Sequence, residues 1–354
     1  MKKVLKLILA AVMALGLCAC SNEEKEDTTK VGILIPFKGD QSYMDVTANA
    51  KVLLDAKYGD ELVTNVVEMG KEASDWEPAN RLAVEEGYDI IVSGNWQYEG
   101  AMLAVAKENP DVKYVNFDYS DAAANSLDNV YAITYAAHEI GYLTGVVAAV
   151  KSQSGIIGGV VGQNNAGMNQ FMAGYIQGAA DVNPNIKVII TYVGSFTDPA
   201  TAKEQTEQMI KQGADMIWGC AGGSGNGVFE AVAETTGVWA LGVDTDQYVS
   251  MAANEKLAKT ILTSGLKKVD VGVTQAVTAI LDGTVEWGTQ KVLGYADGAV
   301  GLAENDYYKA NMTTDELAKV KEFTDKVLNG ETKVVDELTQ PGVFDQYYNQ
   351  YGLK

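Results

Sequence analysis

From Lys30 onward, short runs rich in Val, Ile and other apolar residues alternate with longer stretches in which apolar positions recur at helical spacing. The runs VGILIP (31–36), ELVTNVVEM (61–69), DIIVSG (89–94), VKYVNFD (112–118), GIIGGVVG (155–162), IKVIITYVG (186–194), ADMIWGCA (214–221) and VWALGVD (238–244) predict strands. Helical spacing is clearest at Val46, Ala50, Leu53 and Leu54, and again at Ala202, Thr206, Met209 and Ile210. The second of these helices carries its own start signal, an N-cap acid followed by proline at Asp198-Pro199. Strands that are apolar throughout, interleaved with helices, predict parallel sheets covered on both faces.

Two such βα blocks emerge, over 31–133 and 155–263, with no Pro/Gly/Ser linker between them. The pattern therefore predicts two lobes joined by several chain crossings, with a ligand cleft at the carboxyl ends of the strands. The loops that follow the strands hold aromatics, carboxylates and amides: PFKGDQSYMD, GNWQYEG, DYSDAAAN, GQNNAGMNQF, SFTDPA, AGGSGNGVF and DTDQY. That set suits a polar, flat-faced ligand, with rings stacking on its faces and polar groups taking its hydroxyls and ring nitrogens. Asp244 stands out because it ends an apolar strand, where a carboxylate needs a hydrogen-bond partner.

Composition narrows the chemistry further. The 354 residues carry 47 Asp and Glu against 27 Lys and Arg, a net charge of −20, which argues against nucleic acid and against acidic ligands at long range. One histidine, His138, and three cysteines, Cys18, Cys20 and Cys220, leave little for a metal site, a cofactor or a histidine-based triad. Cys220 lies in an apolar run and is expected to be a buried thiol; His138 is expected at a helix start, and Trp218 and Phe229 in the core. The glycine-rich loop at Gly162–Gly167 lacks the Lys and Ser/Thr of a P-loop, and Gly222–Gly227 misses the dinucleotide register. A helix start close to a neutral ligand is the better reading of the latter.

The first twenty residues place three lysines before an apolar run of about a dozen, the form of a secretory signal and too short to span a bilayer. The segment closes on Leu17-Cys18-Ala19-Cys20, similar to the lipobox of bacterial lipoproteins. The reading is a signal peptide over 1–19, lipidation at Cys20, and a flexible tether over 20–30.

The chain also resembles the basic membrane protein family of bacterial substrate-binding lipoproteins, whose best-understood members deliver purine nucleosides to ABC transporters. YDIIVSG, AKENPDVKYVNFD, NVYAITYAAHEIGYLTGVVAA, YVGSFTDPATAKE, QGADMIWGCAGGSGNGVFEA, GVDTDQY and TSGLKKVDVGV carry the resemblance between about Lys30 and Gly330. It implies the α/β type I periplasmic-binding-protein fold: two Rossmann-like lobes, parallel sheets and a three-crossing hinge. The lobes are expected over 31–133 plus 264–288 and over 134–263 plus 289–354. It further implies hydrogen bonds to the ligand from Asp118 and Asp244, a lysine, Lys267, reaching the ribose, and a base held between Phe196 and Tyr43.

The first loop departs from the family pattern: Pro36 replaces an acidic residue, and Ser42-Tyr43-Met44 replaces Ser-Phe-Asn. Asp40, Gln41 or Asp45 are left to supply the missing first-lobe hydrogen bonds, and Trp96 to add a stacking surface. The functional expectation is a lipid-anchored, extracytoplasmic solute receptor without a cofactor, with a nucleoside ligand and an ABC permease as partners. A pentose, a pyrimidine nucleoside or another aromatic solute, and a sensor in place of a transporter, stay open. A hydrolase built on Asp118, Asp244 and Asp246 is the reading from another class.

Overall fold

The computed structural model describes residues 28–118 and 127–353, so the expected leader and the lipidated Cys20 lie outside the described residues. The described strands form two six-stranded sheets. The first contains β1 (Thr29–Ile35), β2 (Leu62–Glu68), β3 (Ile90–Val92), β4 (Lys113–Asn116), β5 (Val130–Tyr135) and β11 (Gln290–Leu293), in the order β11-β5-β4-β3-β1-β2 and parallel throughout. The second contains β6 (Ile156–Val161), β7 (Lys187–Tyr192), β8 (Met216–Cys220), β9 (Trp239–Asp244), β10 (Ile261–Lys267) and β12 (Val300–Leu302), ordered β12-β10-β9-β8-β6-β7. Only β12 among these runs antiparallel to its neighbour.

The strands at 31–36 and 155–162 match the apolar runs because both faces of each sheet are covered; Val31, Ile33, Leu34 and Ile35 are all fully buried. The helices in chain order are α1 (Tyr43–Tyr58), α2 (Ala73–Glu85), α3 (Glu99–Glu108), α4 (Ala137–Lys151), α5 (Ala166–Val182), α6 (Pro199–Lys211), α7 (Asn226–Ala233), α8 (Gln247–Ser250), α9 (Glu255–Ala258), α10 (Val269–Leu281), α11 (Asp306–Asn311), α12 (Thr314–Leu328) and α13 (Val343–Tyr351). As the sequence predicts, α6 starts at Asp198, whose carboxylate accepts the Thr201 N–H at 3.1 Å.

The chain crosses between the sheets three times: from β5 into α4, from β10 into α10, and from β11 to β12. Two crossings fall a few residues away from the expected boundaries. Residues 264–267, expected in the first lobe, continue the parallel ladder with β9, pairing Ser264 with Gly242 and Leu266 with Asp244. Residues 290–293, expected in the second lobe, pair with β5 and form the outer strand of the first sheet. Neither segment has a strong strand pattern, since ILTSGLK holds Thr, Ser and Gly and QKVL is exposed over its first three residues.

One helix pair decides how the second lobe meets the cleft. Gly141 and Gly145 on α4 face the backbone of Phe171 and Tyr175 on α5, while Gly174 and Gly178 on α5 face the backbone of His138 and Tyr142 on α4. A Cβ at any of the four would collide with a carbonyl of the other helix, so the axes run at a separation only glycine permits. Phe171 is thereby pushed toward the sheet, beside Trp218 at a ring distance of 6.0 Å. Trp218 and Phe229 are fully buried, as their apolar surroundings predict.

Candidate functional site

The carboxyl ends of β1, β3 and β4 in one sheet face those of β6, β7, β8, β9 and β10 in the other across a cavity of about 450 Å³. All six residues singled out in the sequence, Tyr43, Trp96, Asp118, Phe196, Asp244 and Lys267, line it. Parallel strands put their following loops on one edge of each sheet, which is why residues from the ends of so many strands, β2 with Lys71 and Glu72 included, meet here.

Lys267 is the last residue of β10 and is 93% buried, not a solvated helix-start lysine. Its ammonium pairs with Asp118 Oδ2 at 2.5 Å and sits 5.3, 5.4 and 5.6 Å from the ring centres of Tyr43, Tyr135 and Phe171. Three aromatic faces and one carboxylate replace the water that a buried cation loses. The same Asp118 oxygen accepts the Tyr43 hydroxyl at 3.2 Å, and Oδ1 accepts Thr134 Oγ1 at 3.1 Å. Asp118 thus has three protein donors, and its first task is to hold Lys267 and Tyr43 in place.

Asp244 closes β9 with a positive φ of 66°, in the left-handed region that a non-glycine residue enters at a cost. Burial pushes its carboxyl up to about 6; the Lys267 charge and a hydrogen bond from Ser42 pull the other way, and Asp40 and Asp118 add to the rise. Ser42 Oγ donates to Asp244 Oδ2 at 2.6 Å, a bond between residues 202 positions apart that ties one lobe to the other. Two more bonds cross beside it, Gln247 Nε2 at 3.2 Å and Ser250 Oγ at 3.5 Å, both donating to the carbonyl of Gln41. Gln41 itself has a φ of 54°.

Phe196 lies flat against the turns at Gly162 and Gly222, where a Cβ on Gly162 would strike its ring. Its ring partner across the cleft is Trp96, at 5.8 Å and 61°, edge to face. Tyr43 stacks instead on Phe117, at 6.2 Å and 28°. Phe196 and Tyr43 therefore stand on different lobes, each paired with another ring.

Asp40 and Asp45 do something other than face a ligand with free oxygens. Asp40 accepts the N–H groups of Ser42, Met44 and Asp45 at 3.0, 2.9 and 3.1 Å, and so starts α1 from two residues before its N-cap, Ser42. Asp45 accepts those of Gly39 and Gln41 at 2.7 and 2.9 Å. Between them they fold the first loop onto itself and leave Gln41 contributing a carbonyl to the other lobe.

Cys220 is buried in the cavity wall, and burial pushes its thiol well above the ordinary value, so it is a poor nucleophile. His138 lies away from the cavity, with Nδ1 3.9 Å from Asp336. Asp246 is not part of the cavity lining either: it accepts Asn305 Nδ2 on both oxygens, at 3.0 and 2.8 Å. Of the three carboxylates considered for an acid and base pair, Asp118 and Asp244 line the cavity and Asp246 does not. Among the described residues no group of His, Cys, Asp and Glu is placed to hold a metal, and no helix is long and apolar enough to cross a membrane.

Lys71, Glu72 and Trp76, which follow β2, escaped the sequence reading altogether, and Asn95 and Phe171 were read only as members of their loops. Asn95 is fully buried, and its Oδ1 accepts the N–H groups of Gln97 and Tyr98 at 2.8 and 3.3 Å. An Asn opening a turn before a helix is a legible signal for that. Phe171 had none, because its place depends on the glycine contacts of the helix that carries it.

A sequence model of the family described as ABC transporter substrate-binding protein PnrA-like matches residues 37–337. The ABC transporter nucleoside-binding protein BmpA of Lactococcus lactis subsp. cremoris is 32% identical over 280 residues, 76% of each chain. A CD4+ T-cell-stimulating antigen of Listeria innocua is 29% identical over 356 residues, 94% of this chain and 97% of that one. Among solved structures, an ABC transporter solute-binding protein from Aeropyrum pernix K1 superposes with a TM-score of 0.75 at 24% identity, covering 91% of this chain and 98% of the other. That last likeness bears on the fold alone.

Proposed function

The chain belongs to the PnrA-like family of ABC transporter substrate-binding proteins, and from that premise we propose that its ligand is a nucleoside, purine preferred, held in the interlobe cavity. Membership makes it a binding protein and not an enzyme, extracytoplasmic, with a small-molecule ligand and a transporter permease as partners. The observation that carries the nucleoside reading is the division of one cavity into an aromatic part and a polar part. Phe196, Trp96 and Tyr43 offer ring faces to a base, and Lys267 and Asp244 lie beside them for the sugar. The similarity to a relative named for nucleoside binding supports the same choice.

Capture proceeds by closure. With the lobes apart, the loops are open to water; the base enters between the lobes, and closing brings Phe196 toward Tyr43 and desolvates the bonds to Lys267 and Asp244. Asp118 acts through Lys267, whose position it sets. Base stacking contributes about 1–3 kcal/mol per ring. Upstream of the described residues, Cys20 is the proposed lipidation site that holds the receptor at the membrane after cleavage of residues 1–19.

Calorimetric titration of the soluble domain, refolded to shed carried-over ligand, with adenosine, guanosine, inosine, uridine, cytidine and ribose tests the reading. Saturable binding of a nucleoside at micromolar Kd or tighter, about 8 kcal/mol or more, is the expected result. Phe196→Ala and Asp244→Ala should each weaken it by tenfold or more. Silence across the panel from folded protein overturns the ligand. Lipidation is read separately, from the intact mass of the membrane-extracted protein and its loss of the acyl increment in Cys20→Ser.

A further inference from the structure

The charge a cavity prefers in its ligand follows from which of its own charges lack a counter-charge. Among the described residues four carboxylates line this one, Asp40, Glu72, Asp118 and Asp244, against two lysines, Lys71 and Lys267. Lys267 is already paired with Asp118, and Lys71 and Glu72 are exposed neighbours whose charges water screens. That leaves Asp40 and Asp244, both buried. Their partners are neutral: backbone N–H groups for Asp40, and for Asp244 the Ser42 hydroxyl on Oδ2, with no donor among the described residues on Oδ1. The stretch 119–126 that follows β4 contains no lysine or arginine to supply a counter-charge. Burial raises both carboxyls, Asp244 to about 6, and Lys267, close enough to pull Asp244 down, does not undo that.

Folded proteins bury a carboxylate beside a cation or under a full set of hydrogen bonds. Asp40 has the second; Asp244 has neither, and it faces the cavity. The same cavity presents aromatic faces, with Trp96 and Phe196 meeting from opposite lobes at 5.8 Å. Such faces attract cations, tryptophan most strongly, and three rings of this chain already do so for Lys267. At longer range the net charge of −20 draws cations and repels anions. Resting on the nucleoside reading above, we propose that the receptor prefers nucleosides whose base carries a positive charge, such as an N-alkylated purine or a pyridinium riboside, with the aromatic faces on the charged ring and Asp244 as its counter-ion. Asp244 can take a sugar hydroxyl and supply that charge at once. A unit charge within about 7 Å of a buried carboxylate, at an effective dielectric of about 20, is worth more than tenfold in affinity.

Two pairs of ligands matched in size and different in charge test this. Nicotinamide riboside is a permanent cation, and its dihydro form has the same ring without the charge. 1-Methyladenosine is protonated at neutral pH, whereas its isomer N6-methyladenosine is neutral. The experiment titrates all four, with adenosine and guanosine, into wild type and Asp244→Asn near neutral pH, with thermal melts to show that both proteins are folded. The expected result in wild type is a Kd at least tenfold lower for the cation of each pair. Asp244→Asn keeps the shape of the side chain and removes its charge, so that ratio should fall by more than threefold, whatever happens to the affinities themselves. A wild-type ratio below ten in either pair, with neutral nucleosides bound, overturns this inference and leaves the nucleoside reading standing. A ratio that stays within threefold of wild type in Asp244→Asn overturns it too, while silence to every nucleoside, charged or neutral, overturns both.

Discussion

At the scale of single residues, the cleft is a set of buried charges that the protein tolerates at a cost. Asp244 keeps its proton to about pH 6, against an ordinary 3.8, because burial disfavours the charged form. In the unfolded chain the same group ionises near its ordinary value. The penalty is therefore absent at pH 4 and below, grows as the pH rises between the two values, and is complete above the upper one. Asp244→Asn should raise stability at pH 7.5 by about 3 kcal/mol, with the two proteins converging near pH 4, as measured by urea unfolding across that range. Equal stability at both pH values would mean that the carboxylate is solvated. Lys267 behaves oppositely: Lys267→Met leaves Asp118 charged and unpaired and should cost about 3–5 kcal/mol, and adding Asp118→Asn should recover part of it.

At the scale of elements, the α4–α5 pair is the least forgiving contact. Its four glycines meet backbone, not flexible side-chain ends, so there is nothing to swing aside. Gly174→Ala should destabilise the protein by about 1–3 kcal/mol in urea unfolding, and should also weaken ligand binding because α5 carries Phe171 and Met168 into the cavity wall. A control at Gly100 on α3, where an added Cβ meets nothing within 4 Å and φ is not positive, isolates the steric effect. The elements themselves were legible in proportion to their burial. Strands covered on both faces, such as β8, wrote unbroken apolar runs. β10 buries Thr263 and Ser264 through hydrogen bonds with Ala303 and Gln247, so its polar letters hide a central strand. Those bonds lie in other parts of the chain, and no local pattern contains them.

At the scale of the molecule, the structure is a closed one, with Ser42, Gln41 and Trp96 of one lobe bonded or packed to Asp244, Gln247, Ser250 and Phe196 of the other. Closure shields Trp96, so ligand should shift the tryptophan emission of the protein, and Trp96→Phe should remove most of that change while the other four tryptophans remain. Solution scattering should show the radius of gyration falling on nucleoside addition. An unchanged radius would place the free protein already in the closed form, held by the direct lobe-to-lobe bonds. Ser42→Ala then distinguishes the two, since it weakens the closed state without touching the rings.

The alternation of apolar runs and helical periods was enough, without coordinates, to determine two parallel-sheet lobes and to point to the loops after the strands. That followed from physics local to each segment: a strand buried on both faces must be apolar, and a loop after a parallel strand must open at one edge of the sheet. The six proposed contact residues were legible for the same reason, with help from the family pattern. Only the tertiary structure decided what those residues do to each other. It spent Asp40 on starting a helix, gave Asp118 to Lys267, and set Ser42 on Asp244 across 202 positions of sequence. Such partnerships depend on which loops the two sheets bring face to face, and a chain read one segment at a time carries no record of that meeting.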